Sequence, residues 1–125
     1  MKNIYYKSTN QVPKIDFNCN GNLLLEGRSY PENVNIIFNP LIEWTKSLKA
    51  ENVTFNINLE YINSASSKKM IELLKCLDSN DSIKKLSINW YYEEGDDDSL
   101  ETGQIYEELL YKAEFKYLEY AEAAA

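Results

Sequence analysis

A group of hydroxyl side chains follows the longest alternating apolar segment of the chain. Its serines are Ser64, Ser66 and Ser67, and Asn63 stands directly before them. At a helix start, backbone N–H groups lack intrahelical partners and carry partial positive charge, so a phosphate on a serine there is stabilised. Serine and asparagine also cap helices for stability alone. The residue types therefore leave both a phosphorylation site and a plain cap open.

The acidic segment 93–98, EEGDDD, could bind Mg²⁺ or Ca²⁺ through carboxylate oxygens. It lacks the alternating ligands and closing glutamate of an EF-hand loop. The alternatives are a solvated loop that brings carboxylates to the next helix start, and a recognition loop for a basic partner. A metal-dependent enzyme built here would use the carboxylates of Glu93, Glu94, Asp96, Asp97 and Asp98.

Two other segments carry side chains suited to binding. In 27–33, GRSYPEN, Arg28 could hold a carboxylate or a phosphate, although a structural turn accounts for the same residue types. The run Trp90-Tyr91-Tyr92 could form a contact surface. Trp90, however, continues the apolar alternation of a strand and is predicted to lie in the core.

Composition excludes several classes of function. The 125 residues carry 13 basic and 20 acidic side chains, a net charge of −7, and contain no histidine. The lack of histidine excludes Ser-His-Asp and Cys-His catalysis and histidine-ligated zinc. The acidic balance disfavours a nucleic-acid binder, which would carry a basic patch. We predict no metal site, no cofactor and no enzymatic activity.

The chain also shows no sign of a membrane or secreted protein. No apolar run is long enough for a membrane span, and the N-terminus lacks the apolar region of a signal peptide. Cys19 and Cys76 stand outside any CxxC pattern and are expected to be reduced thiols. These features predict a cytoplasmic protein with no membrane partner.

Alternation of apolar and polar residues predicts strands over 14–19, 53–61 and 83–92. The leucine run in 22–27, after Asn20-Gly21, predicts the second strand of a hairpin. A final strand is predicted over 115–120, and a short strand over 4–6 is left open. Apolar residues at helical spacing predict helices over 40–49, 64–77 and 99–112. Asn39 is predicted to cap the first helix, with Pro40 at its first position and a looser helical turn near Glu32 left open. Asn20-Gly21 predicts a tight primed hairpin turn, and 28–33 a polar turn.

This element order predicts one α/β (α+β) domain over 1–120, followed by a tail or a remnant of cloning over 121–125. Helices between the later strands favour parallel pairing within a mixed sheet. The two central strands alternate, whereas strands covered on both faces would be apolar throughout. We therefore expect the helices on one face of the sheet. The other face, with Asn56, Asn58, Ser87 and Asn89, is expected to be partly wet or shielded by a partner.

Four segments together resemble one protein family. In chain order they are GRSYPEN (27–33), PLIEW (40–44), LEYINSASSK (59–68) and NWYYEE (89–94). They look like the SiaC family of bacterial regulatory phosphoproteins, and the resemblance runs from about Val12 to Tyr120. It implies a fold similar to the STAS domain of anti-anti-sigma factors, a mixed sheet with helices mainly on one face.

The resemblance also implies a non-enzymatic partner switch. A dedicated kinase phosphorylates a threonine or serine at the start of the helix after the long strand, and a PP2C-type phosphatase removes the phosphate. The unphosphorylated form binds and activates a diguanylate cyclase, which raises cyclic di-GMP and favours aggregation or biofilm. The alternative is an anti-anti-sigma factor that binds an anti-sigma kinase and controls transcription.

Carried onto this chain, the family's NTSS-like motif falls on 63–66. The acceptor, commonly threonine, is then Ser64, and Ala65 replaces a second hydroxyl residue, which makes Ser66 the rival acceptor. Positions around the acceptor are the candidates for partner contacts. They are Arg28, Tyr30, Asn63, Ser67, Lys68, Tyr91, Glu93 and Glu94.

Overall fold

The computed structural model describes residues 1–122. Six strands and three helices alternate along most of this length. They are β1 (Ile4–Tyr6), β2 (Lys14–Phe17), β3 (Asn22–Ser29), α1 (Val34–Ser47), β4 (Asn52–Ile62), α2 (Ser64–Asp78), β5 (Lys85–Glu93), α3 (Asp97–Glu108) and β6 (Glu114–Tyr120). Of the predicted tail, residues 123–125 lie outside the described part of the chain.

The six strands form a single sheet in the order of the sequence. β1, β2 and β3 pair antiparallel, and β3 to β6 pair parallel through the crossover helices. A β-α-β crossover is almost always right-handed, so successive crossovers that advance in one direction place their helices on the same face. The α1 residue Trp44 contacts Phe17, and the α3 residue Tyr106 contacts Trp90, on that one face. The predicted mixed sheet with one-sided helices is confirmed.

A row of residues across the sheet builds the centre of the core. Phe17 pairs with Leu23, Leu23 with Phe55, and Phe55 with Ile88. These side chains are at most 1% exposed and pack beneath the helices. Burial of each such side chain contributes about 1.5–3 kcal/mol relative to exposure. The alternation that predicts the strands is therefore the pattern that fills the core.

The opposite face of the sheet is polar. Asn56, Asn58, Ser87 and Asn89 are half-buried there, and no helix covers them within residues 1–122. The Asn89 amide donates to the Asn56 carbonyl oxygen at 2.8 Å, and the Tyr120 hydroxyl donates to Asn58 at 3.2 Å. These hydrogen bonds satisfy polar groups that neighbouring strands bring together.

The predicted start of the first helix at Asn39-Pro40 is wrong. α1 begins at Val34, because the Asn33 side chain accepts hydrogen bonds from the first-turn N–H groups and caps the helix there. Pro40 lies inside α1. Its missing N–H removes only the bond to the Ile36 carbonyl. Both Pro40 and Ile36 are exposed, so water can satisfy that carbonyl.

The predicted primed turn at Asn20-Gly21 is also wrong. Only Gly21 has a positive φ, 104°, and its N–H donates to the Asn18 carbonyl at 3.0 Å. β2 and β3 are therefore joined by residues 18–21, a turn that ends in a left-handed glycine. The close approach of β4 explains the glycine, because the Thr54 N–H donates to the Gly21 carbonyl at 2.9 Å.

Several other boundaries differ from the predicted ones. β2 ends at Phe17, β3 continues through Arg28 and Ser29, and β5 begins at Lys85. α3 is shifted toward the N-terminus, Asp97–Glu108 instead of 99–112. It ends early because the Asp78 carboxylate accepts the backbone N–H groups of 111–113, which turn the chain toward β6.

Gly21 and Gly95 form a matched pair for a stability test. Both have a positive φ, but an added Cβ at Gly21 would overlap the Asn52 carbonyl oxygen, whereas one at Gly95 would meet no atom. We expect Gly95→Ala to lower the unfolding free energy by about 1–2 kcal/mol, the cost of left-handed backbone. Gly21→Ala should cost about 2–5 kcal/mol, because overlap adds to it. Equal losses in urea unfolding would contradict the close approach.

Candidate functional site

The candidate site lies at the edge of the sheet where the parallel strands end. β4 ends at Ile62 and α2 begins at Ser64, so a single residue, Asn63, joins them. The Asn63 side chain accepts from the Ser66 N–H at 2.9 Å and so caps α2. The Asn63 N–H itself donates to the Ser29 carbonyl at 2.9 Å. The end of β3 is therefore held beside the first turn of α2.

The three serines of α2 occupy different surroundings. Ser64 is exposed at the first position of the helix. Ser66 is 0% exposed, and its hydroxyl accepts a hydrogen bond from the Ser29 hydroxyl at 2.9 Å. Ser67 is half-buried and its hydroxyl is hydrogen-bonded to that of Tyr106. Of the three hydroxyls, that of Ser64 is the one open to an approaching protein.

Tyr106 connects α3 to the start of α2. Its side chain is 2% exposed and its ring packs edge-on against Trp90, with 5.5 Å between centroids. Burial raises the pKa of the Tyr106 hydroxyl, and the hydrogen bond with Ser67 opposes part of that shift. The hydroxyl therefore stays neutral at neutral pH and can donate or accept.

Two tyrosine rings and one arginine lie together at the same edge. We call Tyr30, Tyr61 and the Arg28 guanidinium beside them the aromatic cluster. Gly27 pairs with Leu59 and Arg28 with Tyr61, so Glu60 is an extra residue and forms a β-bulge. The Tyr30 and Tyr61 rings contact each other edge-on at 5.8 Å. The exposed Arg28 guanidinium lies 5.6 Å from the Tyr30 ring centroid, within cation–π range.

A groove runs between the end of β4 and the first turns of α3, with a volume of about 350 Å³. We call it the edge groove. Its lining combines apolar side chains with carboxylates and hydroxyls. The lining residues are Leu59, Glu60, Tyr61, Ile62, Trp90, Asp96, Asp98, Ser99 and Thr102. Trp90 is buried as predicted, at 2% exposure, and its indole N–H donates to the Ser99 carbonyl at 3.0 Å.

The acidic segment 93–98 leads into α3 and forms the start of that helix. The Asp96 carboxylate accepts from the Ser99 N–H at 3.0 Å, and Asp97 and Asp98 lie in the first turn of α3. Carboxylates there complement the helix dipole. Within residues 1–122, no three acidic or cysteine side chains are grouped closely enough to hold a metal ion. Cys19 and Cys76 are not joined by a disulfide.

The structure brings together some of the predicted contact residues. Arg28 and Tyr30 lie in the aromatic cluster, Asn63 caps α2, and Lys68 is exposed one turn after Ser64. Ser67 instead turns toward α3.

The other predicted contact residues come from β5. Glu93 ends the strand and Glu94 follows it in the turn to α3. Tyr91 pairs with Asn58 on the polar face of the sheet, opposite the helices. It therefore lies apart from the residues around Ser64.

Sequence reasoning missed four residues of this edge: Ser29, Glu60, Tyr61 and Tyr106. Ser29 stands in the GRSYPEN segment, so its neighbours carried a signal. The bulge at Glu60 and the contact of Tyr106 with Ser67 depend on strand register and helix packing. Neither has a local sequence pattern.

No helix within the described residues is long and apolar enough to cross a membrane.

Comparison with known proteins gives a family match over nearly the whole chain. The model described as "SiaC family regulatory phosphoprotein" matches residues 6–120. An uncharacterized protein of Pseudomonas aeruginosa (strain UCBPP-PA14) is 28% identical over 98 residues, which cover 74% of this chain and 78% of that protein.

Solved structures share the fold. SiaC of Pseudomonas aeruginosa superposes with a TM-score of 0.80 at 24% identity, over 98% of this chain and 100% of that chain. A second structure, of diguanylate cyclase SiaD in complex with its activator SiaC from Pseudomonas aeruginosa, superposes with a TM-score of 0.79 at 24% identity. This superposition covers 95% of this chain and 99% of the matched chain.

The buried pair Ser29–Ser66 can be tested with a double-mutant cycle. Ser66→Ala or Ser29→Ala leaves the other hydroxyl buried without its partner, which we expect to cost about 1–3 kcal/mol of unfolding free energy. The double variant should lose less than the sum of the two single variants, because no orphan hydroxyl remains. Ser64→Ala, at an exposed position, should stay within about 0.5 kcal/mol. Additive losses in chemical denaturation would contradict the pairing.

Proposed function

The chain belongs to the SiaC family of regulatory phosphoproteins, and on this basis we propose that it is a cytoplasmic, non-enzymatic partner switch. Its unphosphorylated form binds and activates a diguanylate cyclase, which raises cyclic di-GMP and favours aggregation or biofilm. A kinase phosphorylates Ser64 and so ends this interaction. A PP2C-type phosphatase removes the phosphate and restores it.

The choice of a diguanylate cyclase as partner is supported by a fold relative. SiaC of Pseudomonas aeruginosa is the activator of diguanylate cyclase SiaD in a solved complex, and this chain superposes on that structure with a TM-score of 0.79. The similarity covers 95% of this chain. A shared fold does not by itself carry a function, so the choice of partner also draws on the family match over residues 6–120.

The choice of Ser64 as acceptor rests on its exposure. A kinase must reach the hydroxyl oxygen, and Ser64 is exposed at the first position of α2. Ser66 is 0% exposed, so its phosphorylation would require the helix start to separate from Ser29. A phosphate on Ser64 would instead lie at the positive end of the helix dipole. The exposed hydroxyl beside two engaged ones is the observation that carries the proposal.

The switch acts through the charge of an interface. Phosphorylation adds about −1.5 to −2 charges at pH 7, on a chain whose net charge is already −7. A partner surface that is acidic opposite Ser64 would be repelled by the phosphate. A partner surface that is apolar there would bury the phosphate charge without a counter-charge. The helix dipole stabilises the phosphate where it forms, so the fold needs little change. Docking is therefore lost while the protein stays folded.

Phosphosite mapping of the protein from its native cells tests the acceptor. We expect one phosphate on Ser64, removed by treatment with a PP2C-type phosphatase. A phosphate on Ser66 would overturn the assignment and imply that the start of α2 opens.

Proteins that copurify should include a diguanylate cyclase. An anti-sigma kinase in its place would support the anti-anti-sigma alternative.

Substitution of Ser64 tests the switch. We expect Ser64→Ala to bind the copurifying cyclase as tightly as the unphosphorylated protein, and Ser64→Asp to bind at least about tenfold more weakly, a loss of about 1.4 kcal/mol. Calorimetric titration measures both affinities. Ser8→Asp is the matched control, because Ser8 is exposed outside any strand or helix. Equal affinities for Ser64→Ala and Ser64→Asp would contradict the proposal.

A further inference from the structure

The edge groove is a concave surface that reaches Ile62, two residues before the start of α2. Leu59 and Ile62 from β4 and Trp90 from β5 supply its apolar lining, and the first turns of α3 form the opposite wall. Its volume of about 350 Å³ lies at the lower end of ligand-sized cavities. The groove therefore has room for one or two long side chains.

The charged groups of the groove have one sign. Glu60, Asp96 and Asp98 line it, and none of its lining residues is basic. The ion pairs within residues 1–122 are Lys46–Glu43 and Lys69–Glu72, which lie elsewhere on α1 and α2. The nearby starts of α2 and α3 contribute about half a positive charge each. The guanidinium of Arg28, at the same edge, lies over the Tyr30 ring and outside the lining, so the lining itself stays net negative.

Two groove carboxylates also act on Tyr120 at the end of β6, whose hydroxyl is hydrogen-bonded to Asn58 on the polar face of the sheet. Burial raises the pKa of its hydroxyl, and the carboxylates of Glu93, Glu60 and Asp96, with Glu26 from β3, raise it further. Lys14 stands across from Glu26 in the register, but its ammonium lies over the Tyr5 ring, 6.0 Å from the centroid. Of these four carboxylates, Glu60 and Asp96 line the groove, so their field extends beyond it.

We infer that the edge groove is a docking site for a basic segment of a protein partner. A lysine or arginine side chain would lay its aliphatic stem along Leu59 and Ile62 and place its charged head among the carboxylates of Glu60 and Asp98. Such side chains pair an apolar stem with a charged tip, which matches the mixed lining. The two exposed carboxylates are free to turn toward the incoming cation.

Phosphorylation of Ser64 is expected to affect this interaction and the proposed cyclase interaction in opposite directions. Ser64 lies two residues after Ile62, so a phosphate on it adds negative charge near the groove. Binding of a basic segment is therefore retained or strengthened by phosphorylation, whereas binding of the cyclase is lost. The docking site needs no phosphate, and its failure or success is independent of the role of Ser64.

A peptide titration monitored by ¹H–¹⁵N NMR tests the docking site. The probe is a short peptide of alternating arginine and leucine, and the control peptide carries glutamate at each arginine position. We expect the basic peptide to shift the amide signals of 59–62 and 96–102, and the acidic peptide to shift none of them. Shifts confined to the polar face of the sheet, around Asn56 and Tyr91, would overturn the inference.

Charge-neutral variants separate the groove from the general acidity of the chain. Glu60→Gln combined with Asp98→Asn should weaken binding of the basic peptide by about three- to tenfold, as expected for two solvent-exposed ion pairs. Glu51→Gln combined with Glu108→Gln removes the same charge from exposed positions outside the groove. This control pair should bind within about twofold of the unaltered protein. Equal weakening by both pairs would mean that only net charge attracts the peptide.

Discussion

The constant hand of the β-α-β crossovers determines where everything else in this protein lies. From β3 to β6 each strand is added beside the previous one, in the order of the sequence. Right-handed crossovers then put all three helices on one face and bring the starts of α2 and α3 to the edge where the parallel strands end. That edge collects exposed backbone N–H groups, loop side chains and the ends of four strands. The site around Ser64 is a consequence of this arrangement.

Burial separates hydrogen-bonded hydroxyls from an accessible one within one helical turn. Ser66 is inward-facing and holds Ser29, while Ser67 holds Tyr106. Together these bonds tie the first turn of α2 to β3 and to α3, which gives Ser64 a rigid setting. A phosphate placed on a rigid helix start changes the charge of a surface without changing its shape. That is the physical basis of the proposed switch, which would release one partner and keep the fold.

The acidic character of the chain has a local meaning at this edge. Asp96, Asp97 and Asp98 stabilise the start of α3 through capping and the helix dipole. The β-bulge adds Glu60 to the same side, beside apolar groups of β4 and β5. Carboxylates placed for helix stability thereby also line a groove. One set of charges can then serve folding and recognition, because the partial positive charge at the helix start neutralises only part of the negative charge of these carboxylates.

Alternating periodicity predicted β2, β4 and β5, and helical periodicity predicted α1 and α2, because those patterns directly record which side of an element is buried. The segment around Ser64 and the buried position of Trp90 followed from the same local signals. The start of α1 and the turn at Gly21 could not be read locally. Asn33 competes with Asn39 as a cap, and the approach of β4 selects the turn. The choice between Ser64 and Ser66 likewise depends on Ser29, 37 residues away from Ser66. Which hydroxyls are engaged, and which carboxylates converge on a groove, are decided by contacts between distant segments, and only the folded sheet brings those together.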